Sequence, residues 1–475
     1  MIKLNCLLVS MCIVISLPAQ IKNPGFEIIH DTVSDGWNFK KASGYIVAAD
    51  STIYFEGRRS LKISNSENRN DTAFSNFNQT ITIKTESPRK YCLSAYIKKD
   101  KVSGNPYLVA RTMVTENNII TGLAVANILE GSGNWEKIKA LFIADRDVTI
   151  RISGGLKGTG TLWFDVIKLE DITANDITPA RKEAEDLIKQ FMDTVHHNSL
   201  FADSLNWTTL TNDVSELSKG IKSMEDAHLV LDYIISSLRL AGDSHSHIVI
   251  DRGNVTVTQA NQIKTTRKVP EGKYIGNNIG YIKIPEFNTD NDTASRMFSD
   301  MEKQIIKQID QKHKINGWIV DLRDDRGGSM FSMIEGLLPL LGYDTLGYFV
   351  SNKEKEPWFI SKEDWNPPYF LKNSSPKIAV LIGPATGSSG EATAISFIGK
   401  TNTKLFGQRT IGLTSANERY KLKDDSYLFL AVSIEADRNM KLYRAGIDPD
   451  VIVNDNSDKK EDACIAAAKM WILEK

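Results

Sequence analysis

Lys377–Phe397 reads KIAVLIGPATGSSGEATAISF. Ile378–Ile382 is an apolar run of strand length, Gly383–Gly387 is a turn of small residues, and Ser388 and Ser389 open a helical segment. A strand that ends in glycine and enters a helix N-terminus turns unpaired backbone N–H groups toward whatever lies at the turn. A serine placed there has an exposed hydroxyl with N–H donors beside it, which attack on a carbonyl requires. The same residues also fit a loop in which Ser388 or Ser389 merely N-caps the helix. Both readings stand on this stretch alone.

Working outward, the flanking segments alternate in character. On the N-terminal side, Ile279–Ile284 and Gly317–Leu322 read as strands, and Thr293–Gln311 and Met330–Leu341 as helices. On the C-terminal side come a strand at Lys404–Gly407, two longer ones at Arg419–Leu422 and Ser426–Glu435, and a closing helix at Lys460–Leu473. Strands alternating with helices predict an α/β sheet with crossover connections from residue 274 to 475. Upstream, Ala184, Leu187, Ile188, Phe191, Met192 and Val195 follow helical spacing after Thr178-Pro179. Val214–Ile221 and Met224–Leu240 read as further helices, so 178–250 is a small helical segment, ending in a strand at Ile248–Ile250.

Residues 20–170 have another grain. Short alternating runs (Ser60–Ser64, Asn78–Ile83, Tyr91–Ile97, Val148–Ile152, Thr161–Leu169) recur between turn signals, predicting an all-β sandwich. Asp171–Thr178 is a polar connector. At the start, Lys3 precedes the apolar run Leu7–Leu17 and then Pro18-Ala19-Gln20. That is the pattern of a secretory signal peptide over 1–19, too short to span a bilayer, with cleavage near Ala19 and a secreted or periplasmic protein as the consequence.

The chain of 475 residues is long enough for two or three domains. Its formal net charge of −1, with no basic tract, offers no electrostatic case for nucleic acid. Signal cleavage leaves Cys92 and Cys464, both in apolar contexts, read as two buried thiols rather than a bridge. No Cys/His cluster has zinc spacing.

A serine needs a base, and histidine is the usual one because its pKa lies near working pH. Of the seven histidines, His245 and His247 stand out in Gly242-Asp243-Ser244-His245-Ser246-His247, at the mouth of a strand. A solvated loop histidine is the plain alternative. Gly327 and Gly328 follow a strand end carrying Asp321 and Arg323, where backbone could approach a substrate closely. An ordinary turn between strand and helix fits them as well.

Taken together, residues 240–455 resemble the tail-specific (C-terminal processing) and tricorn-core serine peptidase superfamily. The resemblance is carried by seven ordered blocks: LAGDSHSHI (240–248), IGYIKIPEF (279–287), WIVDLRDDRGG (318–328), GPATGSSGEATAISF (383–397), GQRTIGLTSAN (407–417), ADRN (436–439) and GIDPDV (446–451). It implies an α/β serine peptidase core acting on peptides or proteins without metal or organic cofactor. Ser388 would be the nucleophile, with the N–H of Ser389 and one from Gly327 or Gly328 forming the oxyanion hole. The processing branch places a lysine after the nucleophile where this chain has Leu413, which cannot accept a proton. The tricorn-like branch uses an upstream Ser-His pair, matched by Ser244-His245. His245 is therefore the expected base, Ser244 its supporting hydroxyl and His247 the fallback. The orienting glutamate of that branch is replaced by Tyr443, leaving Glu435, Asp437 or Asp243 as sources of charge. Between Ile250 and Asn278 there is no room for a PDZ domain.

The β segment resembles carbohydrate-binding, galactose-binding-like jelly-roll modules through Asn23–Glu27, Gly36-Trp37, Gly57–Ile63 and Trp163-Phe164-Asp165. That resemblance implies a glycan partner and a structural calcium at Glu27 and Asp165, whereas Trp37, Trp135 and Trp163 fit equally as core aromatics. The competing functions are a Ser-His esterase, and a non-catalytic glycan- or peptide-binding protein on a degenerate peptidase scaffold.

Overall fold

A computed structural model describes residues 21–30, 33–66, 73–116, 119–126, 128–173, 178–250, 268–360, 368–454 and 462–474. The expected signal peptide lies outside them. Among the described residues no helix is long and apolar enough to cross a membrane. The chain divides into two compact units, one from Met1–Met192 with Leu205–Ala241, the other from Asp193–Ser204 with Gly242–Lys475. That differs from the expected division at 178–250. The helices Trp207–Ser218 and Met224–Leu240 belong with the β unit, while the His245 loop belongs with the α/β unit.

In the first unit the strands are β1 (Ile29–His30), β2 (Val33–Ser34), β3 (Asn38–Lys40), β4 (Tyr45–Asp50), β5 (Ser60–Asn65), β6 (Ser75–Ile83), β7 (Arg89–Val114), β8 (Ile120–Val125), β9 (Gly131–Ala144) and β10 (Val148–Asp171). The path β3-β6-β10-β5-β4 is joined by β7, which pairs with β10, β8 and β9. What read as two strands, Val148–Ile152 and Thr161–Leu169, is one. Val148–Leu156 pairs with β6 and Gly160–Phe164 with β5. The glycines between them mimic a turn in the sequence. Their smallness instead serves close approach: a Cβ on Gly154 would stand 2.4 Å from the Phe77 ring. Bulges such as that between Thr159 and Thr161 bend the strand so that it can serve two neighbours. Phe26, Trp37, Phe77 and Phe164 interlock in the core, with Phe77 edge-on to the other three. Trp37 and Trp163 are buried, as the core reading expects.

Three helices follow: α1 (Lys182–Asn198), α2 (Trp207–Ser218) and α3 (Met224–Leu240). α2 starts earlier than its apolar spacing suggests, because the Asn206 side chain accepts the Thr209 N–H and caps it there. α3 packs on β8 and β9, and Arg239 donates to the Thr121 carbonyl.

The second unit contains β11 (His247–Val249), β12 (Glu271–Tyr274), β13 (Ile279–Lys283), α4 (Asp292–Lys312), β14 (Gly317–Asp321), α5 (Met330–Leu341), β15 (Gly347–Val350), β16 (Lys355–Pro357), β17 (Lys377–Ile382), α6 (Ser389–Phe397), β18 (Thr403–Gly407), β19 (Ser415–Lys421), β20 (Tyr427–Asp437), β21 (Val451–Ile452) and α7 (Ala463–Leu473). One sheet runs β12-β13-β14-β17-β18-β21, parallel from β13 onward. β14 and β17 are apolar and almost wholly buried, as strands covered on both faces must be. α4, α5 and α6 bury Phe298, Leu337 and Phe397 in the core on one side, and α7 buries Cys464, Ala468 and Ile472 on the other. A second sheet runs β11-β20-β15-β16, with β19 also on β20. β15 and β16 had no clear sequence signal. Cys464 is buried and Cys92 half-buried, and neither forms a disulfide among the described residues.

Candidate active site

The strand–turn–helix of β17 and α6 sets Ser388 where the chain reverses direction. The turn is locked from inside: the Thr386 hydroxyl donates to the Leu322 carbonyl at 2.9 Å and accepts the Gly383 N–H. Ser388 then adopts φ 51, ψ −124, a strained backbone for a residue with a Cβ. Such conformations cost about 1–3 kcal/mol and persist only where their surroundings over-determine them.

Glu391 supplies that constraint. Its buried carboxylate accepts N–H bonds from Ser388 (3.0 Å), Gly412 (2.9 Å) and Leu413 (2.7 Å), and a further bond from the Thr410 hydroxyl. Burial raises its pKa, and these four bonds oppose the rise. Bonds to an ionised group contribute about 1.5–3 kcal/mol each, so two already match the strain at Ser388. Glu391→Ala would leave four donors unpaired. It is expected to destabilise the α/β unit by about 3 kcal/mol or more, read as a lower midpoint in urea unfolding. An unchanged midpoint would mean that the clamp is not what holds the turn. Serine followed three residues later by glutamate is a capping-box signature, so this residue was legible in the sequence.

Gly327 and Gly328 come to the same place but do different things. Gly327 (φ 101) is buried beside the turn. A Cβ there would lie 2.8 Å from the Cβ of Ser388. Its N–H donates to the Asp325 carboxyl at 2.9 Å. Gly328 lines the cavity described below. Phe287 pairs with the Gly327 carbonyl and the Ser329 N–H, so Gly328 is turned away from that strand. Its carbonyl accepts the Ser389 hydroxyl at 2.7 Å. Asp325, fully buried, has its pKa pushed up to about 8 by burial.

His245 is held by residues that the local sequence does not advertise. Asp243 accepts the N–H groups of His245 and Ser246 and the Ser246 hydroxyl, shaping the loop. The His245 Nδ1 faces the Ser415 carbonyl at 2.9 Å and the Ser415 hydroxyl at 3.1 Å. A carbonyl can only accept, so Nδ1 carries the proton and Nε2 is left as the lone-pair nitrogen. Burial lowers the His245 pKa to about 4. The Ser244 hydroxyl, expected against this ring, instead faces the Gly412 carbonyl at 3.5 Å. His247 points its Nδ1 at the His245 carbonyl and stacks on Phe429. Of the acidic candidates, Asp437 is occupied by the Tyr443 hydroxyl and the Asn439 and Lys441 N–H groups, Asp243 is bonded within the loop while its charge still acts to raise the His245 pKa, and Glu435 does not figure among the charges acting on His245. The group bonded to the histidine is Ser415, on β19 and in register with Ile434 of β20.

Ser388, Ser389, Gly328, His245, His247 and Ser415 line one cavity of about 1660 Å3 in the α/β unit. Its lining includes a strained serine, a histidine with its acceptor nitrogen defined, and a glycine whose carbonyl accepts the Ser389 hydroxyl.

In the β unit, Glu27 accepts the Arg58 and Arg59 N–H groups and Asp165 those of Phe55, Glu56 and Val166. The two carboxylates thus hold the 55–59 loop. Calcium takes about six to eight oxygen ligands, and among the described residues no group of three His, Cys, Asp or Glu side chains could hold a metal. Any calcium at this pair would need backbone or water oxygens to complete its shell.

Residues 278–453 match the profile of Peptidase family S41. The chain is 29% identical over 323 residues to a nisin-resistance protein from Lactococcus lactis subsp. lactis, spanning 64% of this chain and 94% of that protein. It is 25% identical over 192 residues to carboxyl-terminal-processing peptidase 2, chloroplastic, of Arabidopsis thaliana, spanning 40% of this chain and 35% of that one. Among solved structures, a lipoprotein from Streptococcus agalactiae shares the fold with TM-score 0.51 and 24% identity, covering 62% of this chain and 98% of the other. The α/β unit of this chain carries a peptidase domain of family S41.

Proposed function

We propose that the protein is a serine endopeptidase that hydrolyses peptide bonds through an acyl-enzyme on Ser388, with His245 as general base. The observation that carries this reading is the Ser415 carbonyl on His245 Nδ1, which leaves Nε2 ready to accept a proton in the cavity that Ser388 lines. The Ser388 hydroxyl attacks the peptide carbonyl and its proton passes to His245 Nε2. The oxyanion is met by the N–H groups of Ser389 and Gly328; the Gly327 N–H is already committed to Asp325. Collapse expels the amine, which takes the proton from His245. Water, deprotonated by His245, then releases the acyl group. The relative named a carboxyl-terminal-processing peptidase supports peptide-bond hydrolysis, and the apolar run Leu7–Leu17 supports a secreted or periplasmic location.

A fluorophosphonate probe tests the reading. It should label the wild-type chain at Ser388, located by peptide mapping. An unlabelled protein would favour the non-catalytic binding scaffold. Labelling with turnover of esters but of no peptide would favour the esterase.

The lowered His245 pKa sets the pH profile. Depression keeps the neutral, proton-accepting ring down to lower pH, so kcat/KM should fall on the acid side around pH 4 rather than near the ordinary 6.5. A pH–rate profile with its acid limb at 6.5 would contradict the buried, Ser415-bonded geometry.

A second reading concerns the β unit. Phe55, 41% exposed, stacks on Tyr96 with ring centroids 3.7 Å apart and stands edge-on to the half-buried Trp135. An aromatic surface of this kind suits the apolar face of a sugar. Binding of the full chain to a glycan array, lost in Phe55→Ala, would support a glycan partner. No binding by the wild type would remove it.

A further inference from the structure

The cavity has a chemical bias that hydrolysis alone does not explain. With histidine counted as neutral at pH 7, its lining holds six carboxylic side chains and two cationic ones, Lys353 and Arg419. Arg419 is already matched by Asp290 at 3.1 Å, and Lys353 Nζ donates to the His197 carbonyl. Five of the six carboxylic residues are exposed and explain themselves as solvated groups.

Glu435 is different. It is 3% exposed, lines the cavity, and its buried Oε2 has no hydrogen-bond partner. The charge that acts on it is another carboxylate, Glu391, which three backbone N–H groups and a hydroxyl already satisfy. Removing a carboxyl oxygen from water without a partner is costly, and among the described residues no cation or donor bonds this one. Nor does Glu435 serve His245, whose Nδ1 belongs to Ser415.

Its position gives the missing partner a location. The Glu435 N–H bonds the Thr414 carbonyl, and the preceding Ile434 pairs with Ser415 on β19. Glu435 thus stands one residue along β20 from the segment that holds the histidine. Phe349, its register partner on β15, and Met330 line the same cavity. A carboxyl behind apolar walls suits a side chain with an aliphatic stem and a cationic end.

We propose that Glu435 is a specificity-determining residue of this cavity, receiving the ammonium or guanidinium group of a lysine or arginine side chain close to the scissile bond. The inference rests on the peptidase reading for the word scissile, but not for the binding preference itself.

The test uses pairs of fluorogenic peptides that differ only by lysine or norleucine, scanned across the positions around the cleaved bond. At one position the wild type should prefer lysine by about tenfold in kcat/KM, since a site built around a buried polar group discriminates against a partner that leaves it unpaired. In Glu435→Gln that ratio should collapse to near one. A wild-type ratio near one at every position overturns the proposal, as does a ratio that survives Glu435→Gln. If Glu435→Gln does not fold, the wild-type ratio and competitive inhibition by agmatine remain as readouts, and absence of both overturns it. If no peptide is cleaved, the peptidase reading fails separately. The same peptide pairs are then titrated against Ser388→Ala by fluorescence anisotropy, where about tenfold tighter binding of the lysine peptide supports the proposal and equal binding overturns it.

Discussion

Ser388→Ala is expected to lower kcat for peptide hydrolysis by about 10^6 while leaving the fold intact. The substitution removes one oxygen. That oxygen has the Ser389 N–H next to it in the chain and Gly327 against its own Cβ. Nothing else in the cavity replaces it as nucleophile under the proposed mechanism. The residual rate should come from the oxyanion donors and substrate binding, which the alanine leaves in place. Stability should change little. Alanine suffers the same positive-φ strain as serine, and the Glu391 bond is made to the backbone N–H rather than to the hydroxyl. Hydrolysis assays beside thermal melts separate the two effects. A rate loss below tenfold, or a loss matched by unfolding, would move the nucleophile elsewhere.

His245→Ala is the second large effect, with an expected fall of about 10^4–10^6 in kcat/KM. His247→Ala should cost less than about tenfold. Both rings line the cavity, but only His245 has Nδ1 fixed by a carbonyl, so that Nε2 must be the acceptor. His247 is tied to the His245 carbonyl and to the face of Phe429, which makes it a wall of the site and a support for the loop. Ser415→Ala offers a graded control. It deletes the hydroxyl at 3.1 Å but keeps the carbonyl at 2.9 Å, so its effect should lie well below that of His245→Ala. If His247→Ala proved the more damaging histidine change, the roles of the two would be exchanged.

A carbonyl in place of an acid behind the histidine has a physical consequence. A carboxylate stabilises the imidazolium that forms on proton transfer, and a neutral dipole does so less. Burial, reinforced by the neighbouring His247, outweighs the Ser415 bond and the Asp243 charge, which is why the His245 pKa falls rather than rises. Under the proposed mechanism His245 is therefore a weak base that is in its accepting form at neutral pH. This also accounts for Tyr443, which stands where a related branch keeps glutamate. Its hydroxyl closes a structural bond to Asp437 and leaves the histidine to Ser415.

Much of this was readable along the chain because it depends on local spacing. The strand–turn–helix at 377–397 follows from apolar periodicity, small turn residues and a capping box, each of which acts within a few residues. The same holds for the parallel strands β13 and β14 and the helix α4 between them. Leu413 announced that a lysine base was absent, and the loop at 242–247 pointed to histidine in its stead. Errors arose where one residue type serves two purposes. The glycines at 154–160 read as a turn, yet they lie within β10 because neighbouring side chains and backbone press against them.

What the tertiary structure alone decided is how distant segments complete one another. Ser415 lies far from His245 in sequence, and a carbonyl oxygen has no residue signature at all, so no spacing rule could nominate it. The choice between Gly327 and Gly328 depended on which N–H Asp325 had already taken. Glu435 reads as one more strand residue until its burial and lack of a partner are seen. The sequence determined which groups can do chemistry, because side-chain chemistry is local. The fold decided which of them are free to do it, because hydrogen-bond satisfaction and desolvation are properties of the packed whole.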